Sequence, residues 1–166
     1  MIALKNILVA TDFSEASDAA LNYGRTLART FGATLHVLHV TENVYLQAFG
    51  SEAYIASVPD LQRDVDEAAR KQLDGLLMDS DGSGPAVRKV LQTANAPART
   101  ITEYATKEGV DLIVMGTHGR SGVAHLLMGS VAERVVRTAP CPVLSVRHPE
   151  REFIVPDMLA TTARAS

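Results

Sequence analysis

Strand-like and helix-like patterns alternate along this chain of 166 residues and predict an α/β fold: a single open parallel sheet with helices on both faces, joined by right-handed crossovers. Short apolar runs such as Ile7-Leu8-Val9-Ala10 and Leu112-Ile113-Val114-Met115 are continuous rather than alternating, as strands covered on both faces are. The stretches between such runs repeat apolar residues at helical spacing, and glycines and capping residues fall where helices would start or stop. The length favours one domain with a core large enough to fold without staples.

Each element follows in order. After the strand at Ile7 to Ala10, Ser14 or Asp12 can cap a helix whose apolar positions Ala20, Tyr23, Leu27 and Phe31 recur until Gly32 stops it. Thr34 to Val40 is β-rich. The stretch from Thr41 to Asp60 is poorly patterned and long for a connection, which predicts a mobile loop or a partial helix. Gln62 to Met78 carries Val65, Ala68, Ala69, Leu73, Leu76 and Leu77 on one helical face. A turn cluster from Asp79 to Pro85 precedes a strand in which Val87, Lys89 and Leu91 alternate with Arg88, Val90 and Gln92. Asn95 is placed to cap the next helix, Pro97 is tolerated in its first turn, and Gly109 ends it. The strand at Leu112, a capped helix from Val131 and a strand from Val143 to Val146 complete the set, and no internal repeat is visible.

Composition narrows the partners. The formal charge is −3 at pH 7 and no basic stripe is present, so binding to a nucleic-acid backbone is not expected. Tryptophan is absent and aromatics make up 5%, which disfavours base-stacking platforms. No apolar run approaches the roughly 20 residues of a membrane span, and Asp12 comes too early for a secretory signal, so a cytoplasmic location is expected. The single cysteine, Cys141, allows no internal disulfide and fits a reducing compartment. Lying between Pro140 and Pro142, it reads as a small buried residue rather than a redox centre.

The stretch GTHGRSGVAHLLMGSV, Gly116 to Val131, is the most informative. Glycines and small hydroxyls crowd the exit of an apolar strand just before a helix, as phosphate-binding loops require. Ser130 and Glu133 read as a capping box, in which the Ser130 hydroxyl accepts an orphan N–H and Glu133 reaches back. The amides of such a helix start carry about half a positive charge and, with Gly129 allowing close approach, can hold a phosphate oxygen.

The spacing G-x2-G-x9-G-S, written by Gly116, Gly119, Gly129 and Ser130, resembles the nucleotide-binding signature of the universal stress protein family, in its ATP-binding branch. The opening KNILVATDFSEAS, the strand TLHVLHV and the ending SVAERVVRTAPCPVLSV are similar to that family's first, second and last strand regions. The resemblance spans residues 1–147 as one domain and leaves 148–166 as a C-terminal tail. It implies a Rossmann-like sheet, of the kind found in adenine nucleotide α hydrolases, with strand order 3-2-1-4-5. Asp12, past the first strand, would then face Gly116, past the fourth, at the point where strand order reverses.

The resemblance also implies a pocket for ATP with Mg²⁺. Ala10, Thr11 and Asp12 would end the first strand, and Val40 would meet the adenine edge through its backbone. Met115 and Gly116 would line the ribose side. Thr117, His118, Gly119, Arg120 and Ser121, followed by Gly129, Ser130 and Val131, would hold the phosphates. Asp12 reads either as a helix cap or as a carboxylate touching ribose or a phosphate-bound Mg²⁺. Val123, Ala124 and His125 stand where relatives often have further basic residues, a departure that bears on triphosphate affinity. In dimers of this family the last strand commonly pairs with its copy, so Val143 to Val146 is the expected homodimer edge. If it is not, the tail, with its short apolar piece Phe153-Ile154-Val155, is the other candidate to cover that edge.

Competing motifs fail on spacing. No glycine precedes a lysine followed by Ser or Thr, as a Walker loop needs, and Gly116, Gly119 and Gly122 are spaced G-x-x-G-x-x-G rather than as a dinucleotide fingerprint. Gly119-Arg120-Ser121-Gly122-Val123 misses the last glycine of a nucleophile elbow. His36 and His39 are an odd number apart on a strand and point to opposite faces, so they cannot share a metal ion, and His125 and His148 have no recognisable partners. Three function classes remain: an ATP-responsive regulatory module of the stress response with slow or no hydrolysis, an ATP-using hydrolase or nucleotidyl-transfer enzyme on the same layout, and a nucleotide-free interaction protein. Without a Walker lysine or an evident base in the loop, no catalytic residue is assigned and turnover is expected to be slow at most.

Overall fold

Strands β1 (Asn6–Ala10), β2 (Thr34–Thr41), β3 (Val87–Thr93), β4 (Leu112–Gly116) and β5 (Val143–Val146) alternate with helices α1 (Glu15–Phe31), α2 (Val58–Leu76), α3 (Pro97–Glu108) and α4 (Ser130–Thr138). The computed structural model describes residues 1–44, 58–77, 84–117, 128–147 and 149. Every strand pairing is parallel, and the sheet order is β3-β2-β1-β4-β5. The order implied by the family resemblance is therefore the observed one.

Register sets the two cores. Val9 lies opposite Val37 on β2 and Val114 on β4, and all three point to one face. There, with Ile7 and Leu35, they meet Ala20, Leu21 and Tyr23 of α1, and Leu73 and Leu77 at the end of α2. Leu8, Leu38, Ile113 and Met115 point the other way, onto Ile101 and Tyr104 of α3 and Ala132 and Val135 of α4. Strands apolar on both faces thus find a helical layer on each, as their continuous apolar runs require.

Helix ends follow local chemistry, with corrections. Gly32 and Gly109 close α1 and α3 in the left-handed region, φ 65° and 62°, as expected. Phe31 is the last residue of α1 and is 38% exposed, because the buried stripe through Ala20, Tyr23 and Gly24 ends at Ala28. α2 begins at Val58, ahead of the expected Gln62. Ala68 is exposed, since it lies about 100° around the helix from buried Ala69. Asn95 does not cap α3. The cap position is Ala96, without a side-chain hydrogen bond, and Asn95 Oδ1 instead accepts the Asn43 N–H at 2.7 Å. The expected loop between Thr41 and Asp60 falls mostly on residues 45–57, outside the described residues, as does most of the turn cluster from Asp79 and nearly all of the tail from His148.

The amino ends of the strands are tied by Asp111, whose Oδ2 accepts the N–H groups of Lys5 at 2.7 Å and Asn6 at 2.9 Å. The carboxyl ends are left for a cleft.

Candidate functional site

Past the paired strands β1 and β4 the chain departs to opposite faces of the sheet, to α1 from one strand and toward α4 from the other, which opens a crevice beyond their carboxyl ends. A cleft of about 580 Å³ occupies that point. Its walls come from residues just past β1, β2, β3 and β4 and from the first turns of α3 and α4.

The β1–α1 turn forms one wall. The Thr11 N–H donates to the Leu38 carbonyl at 2.9 Å, extending the β1–β2 pairing by one residue. The Thr11 hydroxyl lies 3.0 Å from that of Ser17 and accepts the Phe13 N–H at 3.0 Å. Asp12 Oδ1 accepts from the Ser14 N–H at 3.2 Å and from the Ser14 hydroxyl at 2.5 Å. Ser14 is the N-cap of α1 and takes the Ser17 N–H, so of the two expected caps Ser14 does the capping and Asp12 braces it. Phe13 adopts φ 63°, a left-handed conformation costly for an aromatic residue. Its ring packs on that of His39, with centroids 4.2 Å apart, and His39 Nδ1 lies 2.7 Å from the Thr11 carbonyl oxygen.

The opposite wall is the exit of β4. Gly116 is glycine for a packing reason: a Cβ there would lie 3.0 Å from the backbone carbon of Ala16 in α1. Thr117 donates its N–H to the Val146 carbonyl at 2.8 Å and accepts the Gly129 N–H at 2.6 Å. Thr117 is thus tied both to the end of β5 and to the cap of α4.

At the start of α4 the expected capping box is not formed. Gly129 is the cap residue, with φ −68° and no side-chain hydrogen bond, and Ser130 is already the first helical residue. From that position its hydroxyl does not serve the amides an N-cap serves, and Glu133 pairs with Arg137 at 3.1 Å instead of reaching back. The helix start that opens into the cleft thus has no side-chain cap among the described residues.

The third wall is the rim past β2 and β3. Thr41 and Thr93 donate to the Asp66 carboxylate of α2, at 2.7 Å and 3.3 Å. Gln62 takes the Val44 N–H and gives its own amide to the Glu42 carbonyl at 3.2 Å. These contacts dock α2 against the strand ends and fix the direction of the chain at Glu42, which lines the cleft.

Thr11, Asp12, Val40, Met115 and Gly116 line this cleft, as do Thr117, Gly129, Ser130 and Val131. Ala10 does not: it ends β1 and packs against the core beneath α3 and α4. His118, Gly119, Arg120 and Ser121 lie outside the described residues, as do Val123, Ala124 and His125. His39, Glu42, Asn95 and Ile101 also line the cleft and carry no motif. Glu42 and Asn95 stand just past strand ends, a position that would have marked them once strand order was known.

His36 points to the other face, where its Nδ1 is 2.8 Å from the Tyr104 hydroxyl. Burial, and then the Arg88 guanidinium, holds its pKa below the ordinary value against an opposing pull from Glu108. The two strand histidines are thus separately packed. Among the described residues no group of three or more His, Cys, Asp or Glu side chains gathers as a metal site. Burial also raises the Cys141 thiol above its ordinary pKa, in keeping with a packing role.

Residues 3–147 match the universal stress protein family. The chain belongs to that family. A universal stress protein of Methanocaldococcus jannaschii is 32% identical over 148 residues, covering 89% of this chain and 85% of the relative. The solved structure of UspA from Lactobacillus plantarum superposes with a TM-score of 0.72 at 27% identity, covering 89% of this chain and all of that one. A universal stress protein from Archaeoglobus fulgidus, solved in complex with dAMP, shares the fold with a TM-score of 0.59 at 20% identity, over 88% of this chain and 99% of its own. Among the described residues no helix is long and apolar enough to cross a membrane.

Proposed function

We propose that the cleft binds ATP together with Mg²⁺, and that this member of the family is a cytoplasmic regulatory module of the stress response whose signal is occupancy rather than turnover. The observation that carries the reading is the convergence, in one cleft at the β1/β4 switch, of Asp12, the glycine at 116 and the α4 amino end, which no side chain among the described residues caps. A helix start of this kind favours a phosphate oxygen, and the absence of a side chain at Gly129 leaves room for its approach. Asp12 is the residue that would hold the cation, which supplies charge neutralisation between the phosphates. A family member of the same fold was solved with an adenine nucleotide, the ligand class named here. Asp12 and His39 of the described lining are held in contacts to the β1–α1 turn, which supports a part in binding rather than in turnover. The chain is further proposed to form a homodimer through β5.

Calorimetry with ATP, GTP and Mg²⁺ tests the reading. ATP is expected to release heat and to raise the melting temperature, and GTP to bind more weakly. Gly129→Val is expected to abolish binding and leave the fold intact, because φ −68° and ψ 152° suit valine while its side chain fills the phosphate approach. An unaltered melting curve at millimolar ATP, or a Gly129→Val protein that binds like the parent, refutes it.

A further inference from the structure

The β1–α1 turn carries Asp12 into the cleft in a conformation that its own sequence does not favour. Phe13, next in the chain, sits at φ 63° although it is aromatic, and something outside the turn must hold it there. Within the turn the Phe13 N–H is bonded to the Thr11 hydroxyl, and Asp12 to Ser14. Besides the Thr11 N–H bond to the Leu38 carbonyl and the packing of Phe13 on the core, the turn is met from outside by His39 on the neighbouring strand. Its Nδ1 lies 2.7 Å from the Thr11 carbonyl oxygen, its ring packs on Phe13 at 4.2 Å and 37°, and it is 8% exposed. A carbonyl oxygen can only accept, so Nδ1 is the nitrogen that bears hydrogen, and the tautomer follows from the geometry. One ring thus clamps the residue before Asp12 by a hydrogen bond and the residue after it by stacking.

We propose that His39 is a positioning residue of the cleft: it holds Thr11 and Phe13 so that the Asp12 carboxylate is presented to the ligand. The effect on nucleotide rests on the ATP reading above; the clamp on the turn does not. His39 does not need to touch the nucleotide. It acts through Thr11 and Phe13, which makes the hydrogen bond, rather than the volume or charge of the ring, the quantity to vary.

Three measurements on the full chain test it. Nitrogen-15 NMR of the parent at mildly alkaline pH should report the Nδ1–H tautomer for His39, and an Nε2–H tautomer overturns the proposal without any variant. Amide hydrogen exchange at Phe13 should be at least tenfold faster in His39→Leu than in the parent. In His39→Asn, whose side-chain amide can place a donor where Nδ1 stands, it should return to within about threefold of the parent. ATP affinity should follow the same order, falling at least tenfold in His39→Leu and recovering in His39→Asn, while both variants melt cooperatively. Parent-like exchange in His39→Leu, or equal impairment of the two variants, refutes the positioning role and assigns the ring to packing. Failure of the parent to bind ATP refutes the nucleotide reading instead, and the tautomer and exchange results still decide the clamp.

Discussion

His36 shows how one residue writes a pH dependence into the fold. Burial beneath α3, reinforced by the Arg88 guanidinium, keeps its folded pKa below that of the unfolded chain, while Glu108 pulls the other way. The unfolded state therefore takes up the proton first as pH falls. The stability His36 contributes is complete above its ordinary value of about 6.5 and is lost as pH drops from there through the lowered folded value. Chemical denaturation between about pH 7 and about pH 5 should show the parent losing more stability than His36→Gln, which cannot titrate. Parallel losses in the two proteins would remove His36 as the cause. The two proteins differ only at position 36, so the difference between them isolates that site.

At the level of elements, the two glycines that flank the loop are glycines for different reasons, and substitution should separate them. At Gly116 an added Cβ meets backbone of α1, which cannot step aside as the end of a flexible side chain would. Gly116→Ala is expected to cost about 1–3 kcal/mol of stability with or without nucleotide, measured by urea denaturation, and a variant as stable as the parent would show that α1 shifts freely. Gly129→Val should remove binding while costing no more than about 1 kcal/mol of stability, the penalty of a poorer N-cap residue. The strands are short continuous apolar runs and the helices carry clear stripes, so their existence and order along the chain are legible in the sequence. Strand order in space is not. It came from the family resemblance, since nothing in a parallel strand names its neighbour. The start of α4 was misread by one residue: Ser130 and Glu133 have the spacing of a capping box, and only the backbone at Gly129 decides that the helix has already begun at Ser130. Asn95 was misread for a similar reason, its amide being claimed by Asn43 across the rim. The wall formed by His39, Glu42 and Asn95 carries no motif because Asn95 follows β3, far along the chain from His39 and Glu42 at β2, and the two sides become neighbours only when the sheet is assembled.

On the scale of the whole molecule the two sheet edges differ. β3 carries Arg88 and Lys89, paired to Glu108 and Asp74 at 2.6 Å and 2.5 Å, and charges of this kind discourage a further strand. β5 reads Val143-Leu144-Ser145-Val146 and has no charged residue. Light scattering is therefore expected to give twice the chain mass, and replacing Leu144 with Lys should shift the population toward single chains. A parent that stays at one chain mass at high concentration would rule out pairing through this edge. The position of Thr117 gives that assembly a further meaning. The peptide at Thr117 is bonded on one side to Gly129 and on the other to the last residue of β5. A dimer joined along β5 would carry two such peptides, each next to the shared seam. Self-association and nucleotide affinity would then be reciprocally coupled, so that whatever tightens one tightens the other, and the cell could read the nucleotide as a change in the number of paired chains.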